Sequence, residues 1–298
     1  MQVRIKALMG RPSLNESPAA RRVREHSPVS LVLVYGVLCL HAVLTLFPLI
    51  WVIGNSFRSS NSILTSISLL PRHLDFSNYE RLFTSTNIPL SFWNSVSITA
   101  VSLGLLLVVV VPLSFALTRF KFKFAEYILL FFTVAVLVPN VSVLPMTYVL
   151  FTKLGLMGTK YGIALVYATE QIPVSIFILT GFMRAIPAEI DEAATVDGAS
   201  VWALFSRVIL PLSRNGIATI MILAFVSIWN DYMTALLLLP DAENRTLSVA
   251  LAFAKTEYSV DYGMMAASIV FAVAPMVVGY LLLKKQLTTG ITAGAVKG

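Results

Sequence analysis

Charge is scarce in this sequence: only 12% of its 298 residues are Asp, Glu, Lys or Arg, about half the share that a soluble domain carries. That shortage leaves too few charges to solvate a globular surface and makes a bilayer the natural solvent. Cysteine is scarcer still. Cys39 stands alone in an apolar run, which excludes an intrachain disulfide and reads as packing. His26, His41 and His73 are far apart and form no His-Glu-x-x-His pattern, so no metal site is expected. No Gly-x-Ser-x-Gly or Cys-x-x-Cys run occurs, and no catalytic set can be assembled. The sequence also lacks a Gly-Lys dipeptide, hence a P-loop. Neither an enzyme nor a cofactor is expected.

What is present is a series of apolar runs long enough to cross a membrane, about 20 residues at 1.5 Å rise each. Six spans are expected: Leu31 to Ile53, Phe92 to Leu117, Tyr127 to Phe151, Tyr161 to Phe182, Ile217 to Leu239, and Met264 to Leu283. The first run is too long for a signal-peptide core, and Phe47-Pro48-Leu49-Ile50-Trp51 stands where a cleavage site would sit. It reads as a retained span. With a cytoplasmic N-terminus, about fifteen Lys and Arg fall inside and seven outside, which satisfies the positive-inside rule. This bias accounts for most of the net charge of +7 without nucleic acid.

The expected fold is therefore an all-α membrane protein of six transmembrane helices, with a cytoplasmic coupling-helix loop and both termini cytoplasmic. Residues 1–30 form a cytoplasmic N-terminal tail, 31–284 the six-span domain with its loop at 184–214, and 285–298 a cytoplasmic C-terminal tail. The longest external segment is 54–91, where Phe57-Arg58-Ser59-Ser60 and Phe76-Ser77-Asn78-Tyr79 suggest short interfacial elements. Proline recurs inside the spans, at Pro48, Pro112, Pro139, Pro145, Pro173 and Pro275. Each removes a backbone donor and can kink its helix, either as an ordinary bend in a packed bundle or as a hinge beside a pathway. On this pattern alone a receptor, a membrane enzyme, a channel and a transporter all fit.

The loop between the fourth and fifth spans is more informative. Pro187 suits a first helical position. Glu189, Asp191 and Glu192 follow in the first turns, where carboxylates complement the helix dipole. Gly198 sits where a left-handed cap would end the helix, Ser200 can cap a second one, and Pro211 is expected to end that. Ile190, Ala193, Ala194 and Asp197 share one face, whose small side chains permit a close approach by another backbone. A bland surface helix is the alternative.

Glu192-Ala193-Ala194, then Gly198 with three residues between, then Val208-Ile209-Leu210-Pro211 with nine residues between, resemble the EAA loop of ABC importer permeases; Val208 for isoleucine is the only departure. Pro173 to Phe177, Gly181-Phe182, Ile186-Pro187 and Trp229-Asn230-Asp231 are similar to the sugar-importer branch. The C-terminal Gly290 to Gly298 run is similar to the tail of maltose-type, MalG-like second permeases. The resemblance covers most of the chain from Leu31 onward. It implies a multi-pass subunit of a bacterial or archaeal cytoplasmic membrane that forms half of a sugar pathway. A second permease subunit completes the pathway, two copies of a cytoplasmic ATPase supply the energy, and an extracytoplasmic solute-binding protein delivers a sugar, by family a di- or oligosaccharide. The ATPase would dock on Glu189, Asp191, Glu192, Ala193, Ala194, Asp197, Gly198 and Pro211. It would also touch the tail at Gly294, Ala295, Val296, Lys297 and Gly298.

Candidate pathway residues are the intramembrane polar groups Glu170, Asn230 and Asp231, which cost several kcal/mol unless paired or hydrated, and the aromatics Tyr148 and Trp229, which could stack on a sugar ring. For each, helix packing is the competing reading. A permease for another solute, such as a glycerol-phosphate ester, and a gradient-driven secondary transporter stay open; the latter would show inverted repeats.

Overall fold

The computed structural model describes residues 28–66, 68, 71, 73–257 and 261–295, and these are helical or irregular, with no strand among them. The N-terminal tail is outside this range apart from residues 28–30. The chain divides into two compact units, residues 1–51 and 52–298. Helix α1 (Pro28–Ser56) is a long uncharged run.

The second unit is built around two long helices, α4 (Ile88–Arg119) and α7 (Lys160–Arg184). Thr86 starts α4 by accepting the Ile88 amide at 3.1 Å, with Pro89 in the first turn where no donor is needed. Thr159 caps α7 by accepting the Gly162 amide at 3.2 Å. Both helices bury apolar stripes in one core, with Ile98, Leu106, Val110 and Phe115 of α4 joined by Ile163, Tyr167, Ile176, Leu179 and Met183 of α7. Such a seam brings the two helices together by packing, since lipid is as apolar as leucine. Short helices α2 (Ser60–Thr65) and α3 (Ser77–Ser85) precede α4.

Two expected spans are broken. Tyr127 to Phe151 divides into α5 (Ala125–Ala135) and α6 (Asn140–Leu154), set at 99°. Pro139 is extended at the break (ψ 125°), and a proline steers the residue before it out of the helical region. The run from Ile217 to Leu239 is α10 (Arg214–Asn230) followed by α11 (Met233–Leu238), with Asp231 extended between them. Before α10 come α8 (Ala188–Val196) and α9 (Val201–Leu212); after it come α12 (Leu247–Glu257) and α13 (Tyr262–Ala295). Among the described residues, four helices are long and apolar enough to cross a membrane, over 31–56, 88–119, 160–184 and 262–279. They become six if α5 with α6 and α9 with α10 each count as one bent span.

Candidate functional site

Exposed carboxylates gather on α8 and the turn that follows it. No residue of α8 is buried. Gly198 closes it with φ +78°, a left-handed conformation that a side chain resists. The Gly198 and Ala199 amides donate back to Thr195 and Ala194 at 3.0 and 2.9 Å, satisfying carbonyls at the helix end. Ser200 then caps α9 by accepting the Ala203 amide at 3.2 Å. Glu189, Glu192, Ala193, Asp197 and Gly198 are exposed, Ala194 half-buried. Val196 and Trp202, 87% and 71% exposed, add an apolar border.

Two details differ from the sequence reading. Asp191 does not face outward with its neighbours: its Oδ2 lies 2.8 Å from Nε of Arg119, the last residue of α4, the side chains being 20% and 10% exposed. The two meet as charges without an aligned hydrogen bond, since Arg119 Nε and Asp191 Oδ1 lack hydrogen-bond partners among the described residues. Pro211 does not end α9. The helix runs to Leu212 with a π-helical stretch over Leu204–Ile209. That wider turn makes room for the proline ring one turn later, and the chain bends by 68° into α10.

A second cluster forms where the two broken spans meet α7. Asp231 Oδ1 accepts from the Tyr167 hydroxyl at 2.7 Å and from the Ala235 amide at 3.1 Å, and Oδ2 accepts from Thr234 at 3.2 Å. Asp231 thus breaks the apolar run by capping α11 and also pins α10 to α7. Gln171 donates to Ser227 at 3.0 Å. A cavity of about 80 Å³ between them is lined by Asn140, Tyr167, Glu170, Ser227, Asp231 and Thr234, among others. Glu170 also lines a wider cleft of about 510 Å³ between α6 and α7, mostly aliphatic, with Asn140, Thr147 and Thr169. Asn230 is exposed and, among the described residues, donates only to its own helix, at Val226. Tyr148 is exposed too. Trp229 is 6% exposed, stacks on Phe225 at 5.7 Å and donates to the Ala272 carbonyl, the contacts of a packed side chain.

At the opposite end of α4 from Arg119 lies a third polar cluster that the sequence reading missed. Fully buried Asn78 donates to the Ser56 and Arg58 carbonyls, both at 2.9 Å, and accepts from Arg81. Arg81 pairs with Asp261, whose Oδ1 accepts from Ser60 and from the Met264 amide at the start of α13. A side chain at Gly263 would overlap the Arg58 carbonyl and Asn78. Burial pushes the Asp261 carboxyl up, but the Met264 amide, the Ser60 hydroxyl and the Arg81 guanidinium together hold it below its ordinary value. Only the Asp and Arg residue types hint at this in the sequence. Of the tail, Gly294 and Ala295 end α13; Val296, Lys297 and Gly298 lie outside the described residues.

A family model for the binding-protein-dependent transport system inner membrane component matches residues 100–287. The diacetylchitobiose uptake system permease NgcG of Streptomyces coelicolor is 31% identical over 263 residues, covering 87% of each chain. The trehalose/maltose transport system permease MalG of Thermococcus litoralis is 30% identical over 279 residues, covering 93% of this chain and 100% of its own. A solved bacterial ABC transporter involved in import of the acidic polysaccharide alginate shares the fold, with a TM-score of 0.76 at 24% identity over 92% of this chain and 99% of that one.

Proposed function

Because the chain belongs to the family of binding-protein-dependent transport system inner membrane components, multi-pass permeases of ABC importers, we propose that it is one of two permease subunits of a sugar importer whose cargo is a di- or oligosaccharide. It forms half of the pathway. A solute-binding protein delivers the sugar on the outer side, and two copies of an ATPase act from the cytoplasm. Relatives named for diacetylchitobiose and for trehalose and maltose support the sugar class.

The observation that carries the coupling role is α8: a capped helix with no buried residue, bearing Glu189, Glu192 and Asp197 on a surface of small side chains. Carboxylates so placed offer charge-assisted bonds to a basic cleft, and Ala193 lets the cleft close on the backbone. Asp191 has a different task, because Arg119 already holds it. ATP binding then biases a bundle with two arrangements through this docked helix. Glu170, which accepts no hydrogen bond among the described residues and borders both cavities, faces water, sugar or the companion permease inside the pathway.

Glu192→Lys tests the docking. Reversing a charge opposite a basic cleft costs on the order of several kcal/mol once desolvated. The variant subunit should insert normally while ATPase co-purification and sugar uptake fall together. Normal values for both would sink the docking.

A further inference from the structure

The α8 surface explains where an ATPase would grip but not where the motion goes next, since a helix with no buried residue has little purchase on the bundle. Two contacts supply it, and both end on the last turns of α4. Asp191 of α8 meets Arg119, which also donates to the Ile186 carbonyl at 3.3 Å in the segment leading into α8. From α9, Phe205 packs on Phe115 of α4 with ring centroids 5.0 Å apart, and Trp202 packs on Phe205 at 5.5 Å. The cytoplasmic loop therefore holds α4 from both of its helices, by a mostly buried ion pair and by an aromatic stack.

The other end of α4 is tied just as specifically. Asn94, 1% exposed, donates to the Glu243 and Arg245 carbonyls at 2.7 and 3.1 Å. Ser95 accepts the Leu247 amide at 2.8 Å. These bonds fasten the segment ahead of α12, external in the positive-inside orientation, to the first turns of the same helix. Between the two anchorages α4 is continuous through Pro112, about 38 Å from Asn94 to Arg119 at 1.5 Å per residue.

We infer that Arg119 is a positioning residue that passes the movement of α8 into α4, and that α4 carries it as a rod to the external segment Glu243–Leu247. This rests on the docking reading above. A side-chain pair that only closed a gap in the fold would serve equally well in every nucleotide state; a transmitting pair would not.

The test uses the complete importer assembled with its partner subunits and binding protein. In Arg119→Asp, ATPase co-purification should match the parent, because Arg119 is outside the exposed α8 face. Binding-protein-stimulated ATP hydrolysis and sugar uptake should fall about tenfold, the scale of coupling between residues in contact. Combining it with Asp191→Arg restores opposite charges and should recover most of the loss. A cysteine at exposed Glu243, in a Cys39→Ser background, reports the far end. Its labelling rate by a charged thiol reagent should differ between ATP-bound and resting complexes, lose that difference in Arg119→Asp, and regain it in the charge swap. Unchanged stimulation, an unchanged labelling difference, or no recovery in the swap would each overturn the inference. So would loss of the ATPase from the Arg119→Asp complex, which would make Arg119 part of the docking. Glu192→Lys run alongside separates the two readings: normal uptake there removes the docking itself, whereas normal stimulation in Arg119→Asp with Glu192→Lys impaired removes only the route.

Discussion

Asp231 shows what one residue's hydrogen bonds add to a choice that the sequence left open. A carboxylate inside an apolar run is either solvated by a pathway or satisfied by protein, and here three protein donors reach it, including the hydroxyl of Tyr167, which is 2% exposed. Asp231→Ala leaves that hydroxyl without an acceptor at a cost of about 1–3 kcal/mol. Thermal unfolding of the purified complex should register the loss, and Asp231→Asn should lose less, because its amide oxygen still accepts. Equal stability of Asp231→Ala and the parent would argue against this lock. Asp261 makes a prediction in pH. Its carboxyl is held below the ordinary value of 3.8. A depressed carboxylate contributes stability that is complete above its unfolded pKa and is lost as pH falls through the folded one. The stability difference between the parent and Asp261→Asn should therefore hold at neutral pH and close below about pH 4. A gap that persists into stronger acid would assign it to something other than this charge.

Helices are where the sequence was most legible, and their breaks where it was least. Long apolar runs forced α1, α4, α7 and the first part of α13, since a bilayer accepts little else. The α8 boundaries followed from local rules, with Pro187 before the helix and Gly198 after it. A kink was readable from Pro139, but a bend of 99° was not, because the residues on both sides remain apolar. The stop at Asn230 was hidden in the same way by Met233–Leu238, and only the bonds to Asp231 reveal it. Arg119 with Asp191, and Arg81 with Asp261, join residues distant in the chain, for which neither period nor spacing carries a signal. Gly198 makes an element-scale prediction. At φ +78° a β-branched residue is strained while asparagine is tolerated. Gly198→Val should misplace the junction of α8 and α9 and reduce ATPase co-purification, and Gly198→Asn should retain most of it. Equal behaviour of the two variants would show that the junction's conformation is not what the ATPase needs.

For the whole molecule, the position of the breaks matters more than their number. The α5–α6 break ends at Asn140 and the α10–α11 break is at Asp231, and both border the cavity that holds Glu170. Irregular backbone at membrane depth survives only where it is buried in protein or lines a wet cavity. Around this polar patch the faces of α6 and α7 stay apolar and exposed, at Val141, Met146, Leu165 and Phe177, as lipid or a companion permease requires. A patch that is polar inside such a rim is where a pathway between two subunits would open. Asn230 probes it best, being exposed and, among the described residues, bonded only within its own helix, while its neighbour Asp231 accepts three hydrogen bonds from the protein. A cysteine at Asn230, with Cys39 replaced, should react with a small charged thiol reagent, and its rate should change between resting and ATP-bound complexes as the pathway turns from one side to the other. Added sugar should slow the reaction in whichever state labels faster. If the residue stays unreactive in every nucleotide state while uptake persists, the patch is sealed by the companion subunit, and the sugar passes along a surface of that subunit instead.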